Sequence, residues 1–115
     1  MSFSVSDYKN NVLTINLEGT IDSTNASADE EKLIDIRKSH PVGTIILDCD
    51  RLEYISSAGL RVILRLKKEV DDTKLINVKP DMYDIVDMTG FTEIMEVQKI
   101  FLRKIFFRFI LYSIF

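Results

Sequence analysis

The sequence predicts an α/β fold, with a mixed, mostly parallel sheet of about five strands and about four helices. Three observations predict this class. Two strand-like segments come first, and helix-like and strand-like segments alternate after them. The run at 44–50 is almost continuously apolar, as in a buried central strand. Finally, 115 residues, 46% of them apolar, suffice for one core and leave no room for a second domain.

The first half of the chain predicts a hairpin and a helix. Residues 12–21 alternate between apolar and polar from Leu13 to Leu17, which is typical of a strand with one buried face. The Asn10-Asn11 pair predicts a turn from an earlier strand at about 3–8. Residues 22–25 are rich in helix-capping types. Residues 26–40 then carry acids first and Lys and Arg last, so we expect a helix there.

The second half predicts three further strands and two further helices. Strands are expected at 44–50, 75–79 and 93–97. Between them, the segment from Gly59 to about 70 separates apolar from charged positions at helical spacing. The last helix is expected to begin at Pro80 and to end at Gly90, because proline suits the first turn and glycine the position after a helix.

Composition restricts the classes of function. The net charge of -3 gives no reason to expect a nucleic-acid partner. Cys49, the single cysteine, cannot form an internal disulfide, and the first residues lack a basic segment followed by an apolar run. We therefore expect a cytoplasmic protein.

The most informative segment is EYISSAGLR, residues 53–61, where two serines separate a strand from a helix. Either serine can cap the helix by accepting a hydrogen bond from a free backbone N–H. Capping explains only one of the two. Because Ala58 and Gly59 leave the surface open, and a helix N-terminus attracts phosphate, modification of a serine by another protein is the alternative.

Catalysis and metal binding have weaker support. Ser57 has no glycine two places before it, and His40, the one histidine, is expected at the end of a helix, so no nucleophile with a base is predicted. Asp48 and Asp50 with Asp22 are a weak candidate for Mg²⁺, and three methionines are expected to fill the core (Met82, Met88 and Met95). We predict no enzyme activity and no cofactor.

The chain resembles the STAS domain family, and most closely its stand-alone bacterial anti-sigma factor antagonists. The segments that carry the resemblance are GTID (19–22), IILDCDRLEYISSAGLRVIL (45–64) and INVKPDMYDIVDMTGF (76–91), within residues 3–97. The resemblance implies a STAS-type fold and a non-enzymatic, phosphorylation-controlled binding protein. Its partners would be a serine kinase that is also the anti-sigma factor, which the unphosphorylated form sequesters, and a phosphatase.

The same resemblance assigns the site residues. Alignment on Gly59-Leu60 puts Ser57 at the phosphorylated position, with Ser56, where the family has Asp, as the second choice. Asp22 matches an acidic residue beside the phosphorylation loop. The implied partner-binding surface therefore comprises Asp22, Ser56, Ser57, Ala58, Gly59 and Arg61.

The sequence changes character after residue 97. Residues 1–97, the predicted STAS domain, contain all 18 acids, whereas residues 98–115 contain four Lys and Arg and no acid, and are mostly apolar. We expect a basic, apolar helix or tail. Its uncharged run, residues 109–115, is far shorter than the roughly 20 residues that a bilayer requires, so its candidate roles are contact with a membrane surface or partner, contact with a second copy, or none if the C-terminus is altered. A STAS module that binds a membrane or a small ligand is thus the alternative function, and the oligomeric state stays open.

Overall fold

A computed structural model of the chain describes residues 1–100. The helix or tail predicted for the end of the chain lies, from residue 101 onward, outside the described residues. The elements are β1 (Ser2–Lys9), β2 (Val12–Ile21), α1 (Ala26–Ser39), β3 (Thr44–Ile55), α2 (Ser57–Glu69), β4 (Asp72–Val78), α3 (Pro80–Met88), a 3₁₀ turn (Phe91–Glu93) and β5 (Glu96–Lys99).

The strands form one sheet in the order β1-β2-β3-β4-β5. β1 and β2 are antiparallel, and every later pair is parallel, so the predicted mixed, mostly parallel sheet is confirmed. Asn10 and Asn11 make the predicted hairpin turn with φ of 54° and 64°. Two positive φ values match the turn that suits the twist of paired strands, and asparagine tolerates them well.

The core lies between one face of the sheet and the helices. Along β2, Leu13, Ile15 and Leu17 are buried while the residues between them are half-buried, as the alternating pattern predicts. Each parallel connection advances one strand in the same direction, and right-handed crossovers then bring all the helices to the same face. Leu33 of α1, Leu66 of α2 and Val86 of α3 are buried on that face. Loops that follow β2 and β3 consequently meet at one edge of the sheet.

The observed bounds differ from the predicted ones at three strands. β4 begins at Asp72, three residues earlier than predicted. β3 continues to Ile55, because it stays paired with β2 up to the Ile21–Ile55 pair. β5 begins three residues later than predicted: after Gly90, whose φ is 79°, the backbone makes a 3₁₀ turn in which Phe91 O accepts from Ile94 N and Met95 N. Gly90 therefore follows the end of α3 as predicted, but a 3₁₀ turn separates it from β5.

Three α-helices and a 3₁₀ turn lie within residues 1–100, close to the predicted number of helices. One prediction about packing was wrong. Met82 and Met95 are buried as expected, but Met88 is 86% exposed, because it lies two residues after the buried Val86 and so on the opposite side of α3.

Candidate functional site

The junction between β3 and α2 is fixed to the neighbouring strand. Ser56 N donates to Ile21 O over 3.0 Å, so the last residue of β2 holds the first residue after β3. The chain then turns directly into α2. The two predicted serines thus lie at the carboxyl edge of the sheet, where loops of parallel sheets commonly form ligand or partner sites.

Ser56 caps α2. Its backbone is extended (φ -88°, ψ 175°), and its hydroxyl accepts a hydrogen bond from Gly59 N over 3.3 Å. Its carbonyl accepts from Leu60 N over 2.9 Å, which closes the first turn. The side chain is half-buried and satisfies one of the otherwise unpaired donors at the helix start.

Ser57 is the first residue of α2 and is exposed. Within residues 1–100, its hydroxyl makes no hydrogen bond. The backbone N–H groups of Ser57 and Ala58 also make no hydrogen bond within these residues, as expected for the first residues of a helix. The structure therefore separates the two serines: one hydroxyl stabilises the helix, and the other faces solvent beside free N–H groups.

Gly59 allows this junction to pack closely. A Cβ on this buried residue would lie 2.6 Å from Ile21 Cγ2 and 2.7 Å from Ile55 Cγ1, well inside contact distance. The start of α2 thus rests directly on the ends of β2 and β3. Ala58, the other small residue, is half-buried.

The loop after β2 is braced by its own side chains. Asp22 Oδ1 accepts from both Thr24 N (2.8 Å) and Thr24 Oγ1 (2.6 Å). Asn25 Oδ1 accepts from Asp22 N (2.8 Å), while Asn25 Nδ2 donates to Thr20 O (2.9 Å). Asn25 is at the N-cap position of α1 but makes no capping bond with its side chain. These capping-type residues stabilise the loop rather than the helix.

Asp22 is held in its charged form. The hydroxyl of Thr24, followed by the backbone N–H of the same residue, lowers the pKa of Asp22 below its ordinary value of 3.8. The loop therefore presents a fixed negative charge at neutral pH. Because Ile21 pairs with Ile55, this charge lies close in the fold to the Ser56–Ser57 junction.

A groove of about 290 Å³ lies beside Ser57, between α2 and the end of α3. Its walls are Ser57, Leu60, Arg61, Leu64, Thr89, Gly90, Phe91 and Ile94. Arg61 is exposed and makes no ion pair within the described residues. It lies one helical turn after Ser57 on the same side of α2. An apolar groove with a hydroxyl and a guanidinium at its rim suits a protein segment better than a metal.

The other predicted residues are not brought to this site. His40 follows α1, at the opposite edge of the sheet from Ser57, where Nδ1 lies 2.7 Å from Ile36 O and the ring packs edge-on against Tyr8. Cys49 is buried, and burial, with a smaller contribution from Asp48, raises the pKa of its thiol to about 12. Neither side chain is placed to act with Ser57.

The candidate magnesium cluster does not assemble. Asp48 pairs in register with Asn16 in the middle of β2, whereas Asp22 follows the end of that strand. Asp48 Oδ1 instead accepts from Asn77 Nδ2 over 3.0 Å. Residues 1–100 contain no group of three His, Cys, Asp or Glu side chains that could hold a metal ion.

The sequence did not predict the side of the groove that the end of α3 and the 3₁₀ turn contribute. Phe91 and Ile94 come together with α2 only through the fold, and no local pattern signals it. The roles of Thr24 and Asn25 were partly visible in the dense polar composition of residues 22–25, which also favours side-chain-braced turns.

Comparison with known proteins identifies related chains. The family model of the STAS domain matches residues 5–104. BtrV of Bordetella bronchiseptica, a protein assigned as an anti-sigma factor antagonist, is 34% identical over 85 residues, which cover 70% of this chain and 72% of that protein.

Solved structures share the fold. The anti-sigma factor antagonist SpoIIAA in its unphosphorylated form has a TM-score of 0.66 at 22% identity, covering 84% of this chain and 87% of that one. The Bacillus cell fate determinant SpoIIAA in its phosphorylated form has a TM-score of 0.60 at 22% identity, covering 93% of this chain and 98% of that one. In the part of the chain that the structure describes, no helix is both long and apolar enough to cross a membrane.

Proposed function

The chain belongs to the STAS domain family, and on that premise we propose that it is an anti-sigma factor antagonist controlled by phosphorylation of Ser57. In this proposal the unphosphorylated form binds an anti-sigma factor that is a serine kinase, and a phosphatase restores that form. The protein itself is a cytoplasmic binding protein without enzyme activity. BtrV and SpoIIAA, which carry the same functional name, support the assignment.

The observation that carries the proposal is the difference between the two serine hydroxyls. The Ser56 hydroxyl is engaged with Gly59 N, whereas Ser57 is exposed and its hydroxyl has no partner among residues 1–100. A kinase needs a hydroxyl that can enter its active site and lose its proton. Ser57 meets this requirement without loss of the helix cap.

A phosphate on Ser57 would change the surface in one step. It adds about 1.5 to 2 negative charges at neutral pH. Free N–H groups at the start of α2 and the cation of Arg61 favour this charge, while the fixed carboxylate of Asp22 opposes it. We expect the phosphate to remain on the surface and to block a partner that docks on the groove, without unfolding the domain.

Affinity purification from native cells tests this proposal. Tagged wild type, Ser57→Ala, Ser57→Asp and Ser56→Ala are expressed at equal levels. We expect a serine kinase to co-purify with wild type, Ser57→Ala and Ser56→Ala. Its recovery should fall at least about tenfold with Ser57→Asp, because a charged carboxylate would lose its hydration at the docking surface and a tenfold loss corresponds to only about 1.4 kcal/mol. Equal recovery with Ser57→Asp, or recovery of no kinase with any variant, would contradict the proposal.

A further inference from the structure

The exposed side of α2 carries cations and no acid. Ser57, Arg61, Arg65 and Lys68 follow one another at intervals of four, four and three residues, so they lie on the same side of the helix. We call this row the α2 ridge. Between residues 57 and 68 the sequence contains four Lys and Arg and no acid. The serine proposed to be phosphorylated is therefore the first residue of a positively charged row.

This positive charge is an exception within the domain. Residues 1–100 contain all 18 acids but only 12 of the 15 Lys and Arg, which gives them a net charge of -6. α2 alone holds four of those cations and a single acid, Glu69, which lies 3.7 Å from Arg37 of α1. Lys67, the one cation of α2 outside the ridge, pairs with Asp71 at 3.4 Å. The ridge therefore concentrates positive charge on an otherwise acidic domain.

Two of the three ridge cations have no partner. Arg65 Nη1 lies 3.1 Å from Glu30 Oε1 of α1. Arg61 and Lys68 are exposed and make no ion pair or hydrogen bond within residues 1–100. Like charges three or four residues apart on a helix repel each other. Lys68 lies in the last turn, where a cation suits the helix dipole, but Arg61 and Arg65 do not. A negatively charged partner would offset this repulsion.

Grooves lie on both sides of the ridge. One is the groove beside Ser57, between α2 and the end of α3, and the second, of about 570 Å³, lies between α1 and α2. Arg61 and Leu64 line both grooves, so this side of α2 projects between them. Small residues of the second groove are Ala26, Ser27 and Ala58. A partner can therefore contact the ridge from both sides.

The charges of α1 favour a protein as the occupant. Glu30 lines the second groove, and Glu31 and Asp35 line its continuation along α1. These acids would repel a surface that is uniformly negative, such as an anionic membrane or a nucleic acid. A protein can place acids against the ridge and neutral or basic groups against α1.

We propose that the serine kinase presents an acidic surface to the α2 ridge, with acids that contact Arg61, Arg65 and Lys68; this rests on the proposed function. A phosphate on Ser57 has the same sign of charge as that surface and lies one helical turn from Arg61. It therefore competes for this cation and repels the acids of the kinase. Binding and its loss on phosphorylation then depend on the same charges.

Charge reversal on the ridge tests the proposal. Arg61→Glu with Lys68→Glu reverses the two cations that have no partner, so no ion pair among residues 1–100 is lost. The tagged full chain is purified from native cells at the expression level of wild type. We expect recovery of the serine kinase to fall at least about tenfold, because its acids would then face two carboxylates. Unchanged recovery would overturn the proposal.

Lys9→Glu with Arg51→Glu supplies the matched control. Both residues are exposed, on β1 and β3, and the pair makes the same change in net charge. Kinase recovery should equal that of wild type, and both double variants should unfold at the urea concentration of wild type, because all four side chains are exposed. An equal loss of kinase with both pairs would contradict a specific contact with the ridge. If wild type itself recovers no kinase, the proposed function fails, and this proposal fails with it.

Salt dependence separates a charge contact from a change in shape. The association rate of the purified kinase is measured in about 0.1 M and about 1 M NaCl, where the Debye length is about 10 Å and about 3 Å. Wild type should associate at least about tenfold faster than Arg61→Glu with Lys68→Glu at the lower concentration, and about twofold faster or less at the higher one. A difference that salt does not reduce would overturn the electrostatic contact.

Sedimentation with phosphatidylglycerol vesicles tests a membrane as the occupant instead. We expect wild type and Arg61→Glu with Lys68→Glu to sediment to the same extent. Vesicle binding that is lost in this variant, with kinase recovery unchanged, would assign the ridge to a membrane and overturn the proposal.

Discussion

The two edges of the sheet are closed by the same means but leave different groups exposed. At the amino edge, Asn11 O accepts from Gly43 N and Thr44 N, and Asn11 Oδ1 accepts from Gly43 N as well. At the carboxyl edge, Ile21 O accepts from Ser56 N. The amino edge thus links the residue before β2 to the start of β3, and the carboxyl edge links the end of β2 to the residue after β3. A glycine lies at the closest approach in each case.

The difference between the edges is what remains available for chemistry. At the amino edge, the hydroxyl of Tyr8 donates to Pro41 O, and the Nδ1 of His40 lies within hydrogen-bonding distance of Ile36 O. At the carboxyl edge, the hydroxyl of Ser57 and the guanidinium of Arg61 have no partner among residues 1–100. Hydrogen bonds between neighbouring segments therefore do not distinguish the two edges; polar groups without a partner do.

Substitution of the two edge glycines should show how differently they are packed. Gly59→Ala puts a Cβ within 2.7 Å of two buried isoleucine carbons, and we expect a loss of about 2–3 kcal/mol in the free energy of unfolding. Gly43→Ala meets Asn11 Nδ2 at 2.5 Å, the end of a side chain that can rotate, and should cost about 1 kcal/mol, mainly through the lost hydrogen bond. Urea unfolding measures both values; an equal cost would show that the edges are packed alike.

The serine pair sharpens the comparison within the carboxyl edge. Ser56→Ala removes the helix cap and should lower the free energy of unfolding by about 1 kcal/mol. Ser57→Ala removes a hydroxyl without a partner, so its effect should stay within about 0.5 kcal/mol. Chemical denaturation of the two variants checks this. A larger loss for Ser57→Ala than for Ser56→Ala would mean that Ser57, and not Ser56, stabilises the start of the helix.

The smallest expected effect concerns the charge of the Asp22 loop. Thr24→Val removes the hydroxyl that most lowers the pKa of Asp22, so this pKa should rise toward its ordinary value, whereas Thr24→Ser should keep it low. Since the pKa is lowered in the folded state, the stability from this contact is present above pH ~4 and is lost as the pH falls through the folded pKa. NMR titration of the Asp22 carboxyl measures the shift, and an unchanged pKa in Thr24→Val would exclude the hydroxyl as its cause.

The sequence predicted most of the fold because its signals are local. Alternation along β2, the Asn10-Asn11 turn and the Pro80 and Gly90 boundaries each depend on a few neighbouring residues. Features set by distant contacts were missed. Asp29 fits the exposed pattern of a helix start, yet it is buried within 3.6 Å of the amino group of Met1.

The candidate site was predictable in its location but not in its detail. The segment around Ser56 and Ser57 indicated a helix start, and resemblance to STAS domains proposed which serine is modified. Only the fold shows which hydroxyl is used as the cap, because this depends on one backbone geometry at Ser56. The groove walls from Phe91 and Ile94 depend on the packing of α2 against the end of α3, which no local pattern specifies.

Peptide mapping of phosphate on the protein from native cells tests the central claim most directly, with Ser57→Ala and Ser56→Ala prepared in parallel. We expect the wild type and Ser56→Ala to carry one phosphate on Ser57, and Ser57→Ala to carry none. A phosphate that maps to Ser56, or that persists in Ser57→Ala, would contradict the account, as would its absence under all growth conditions.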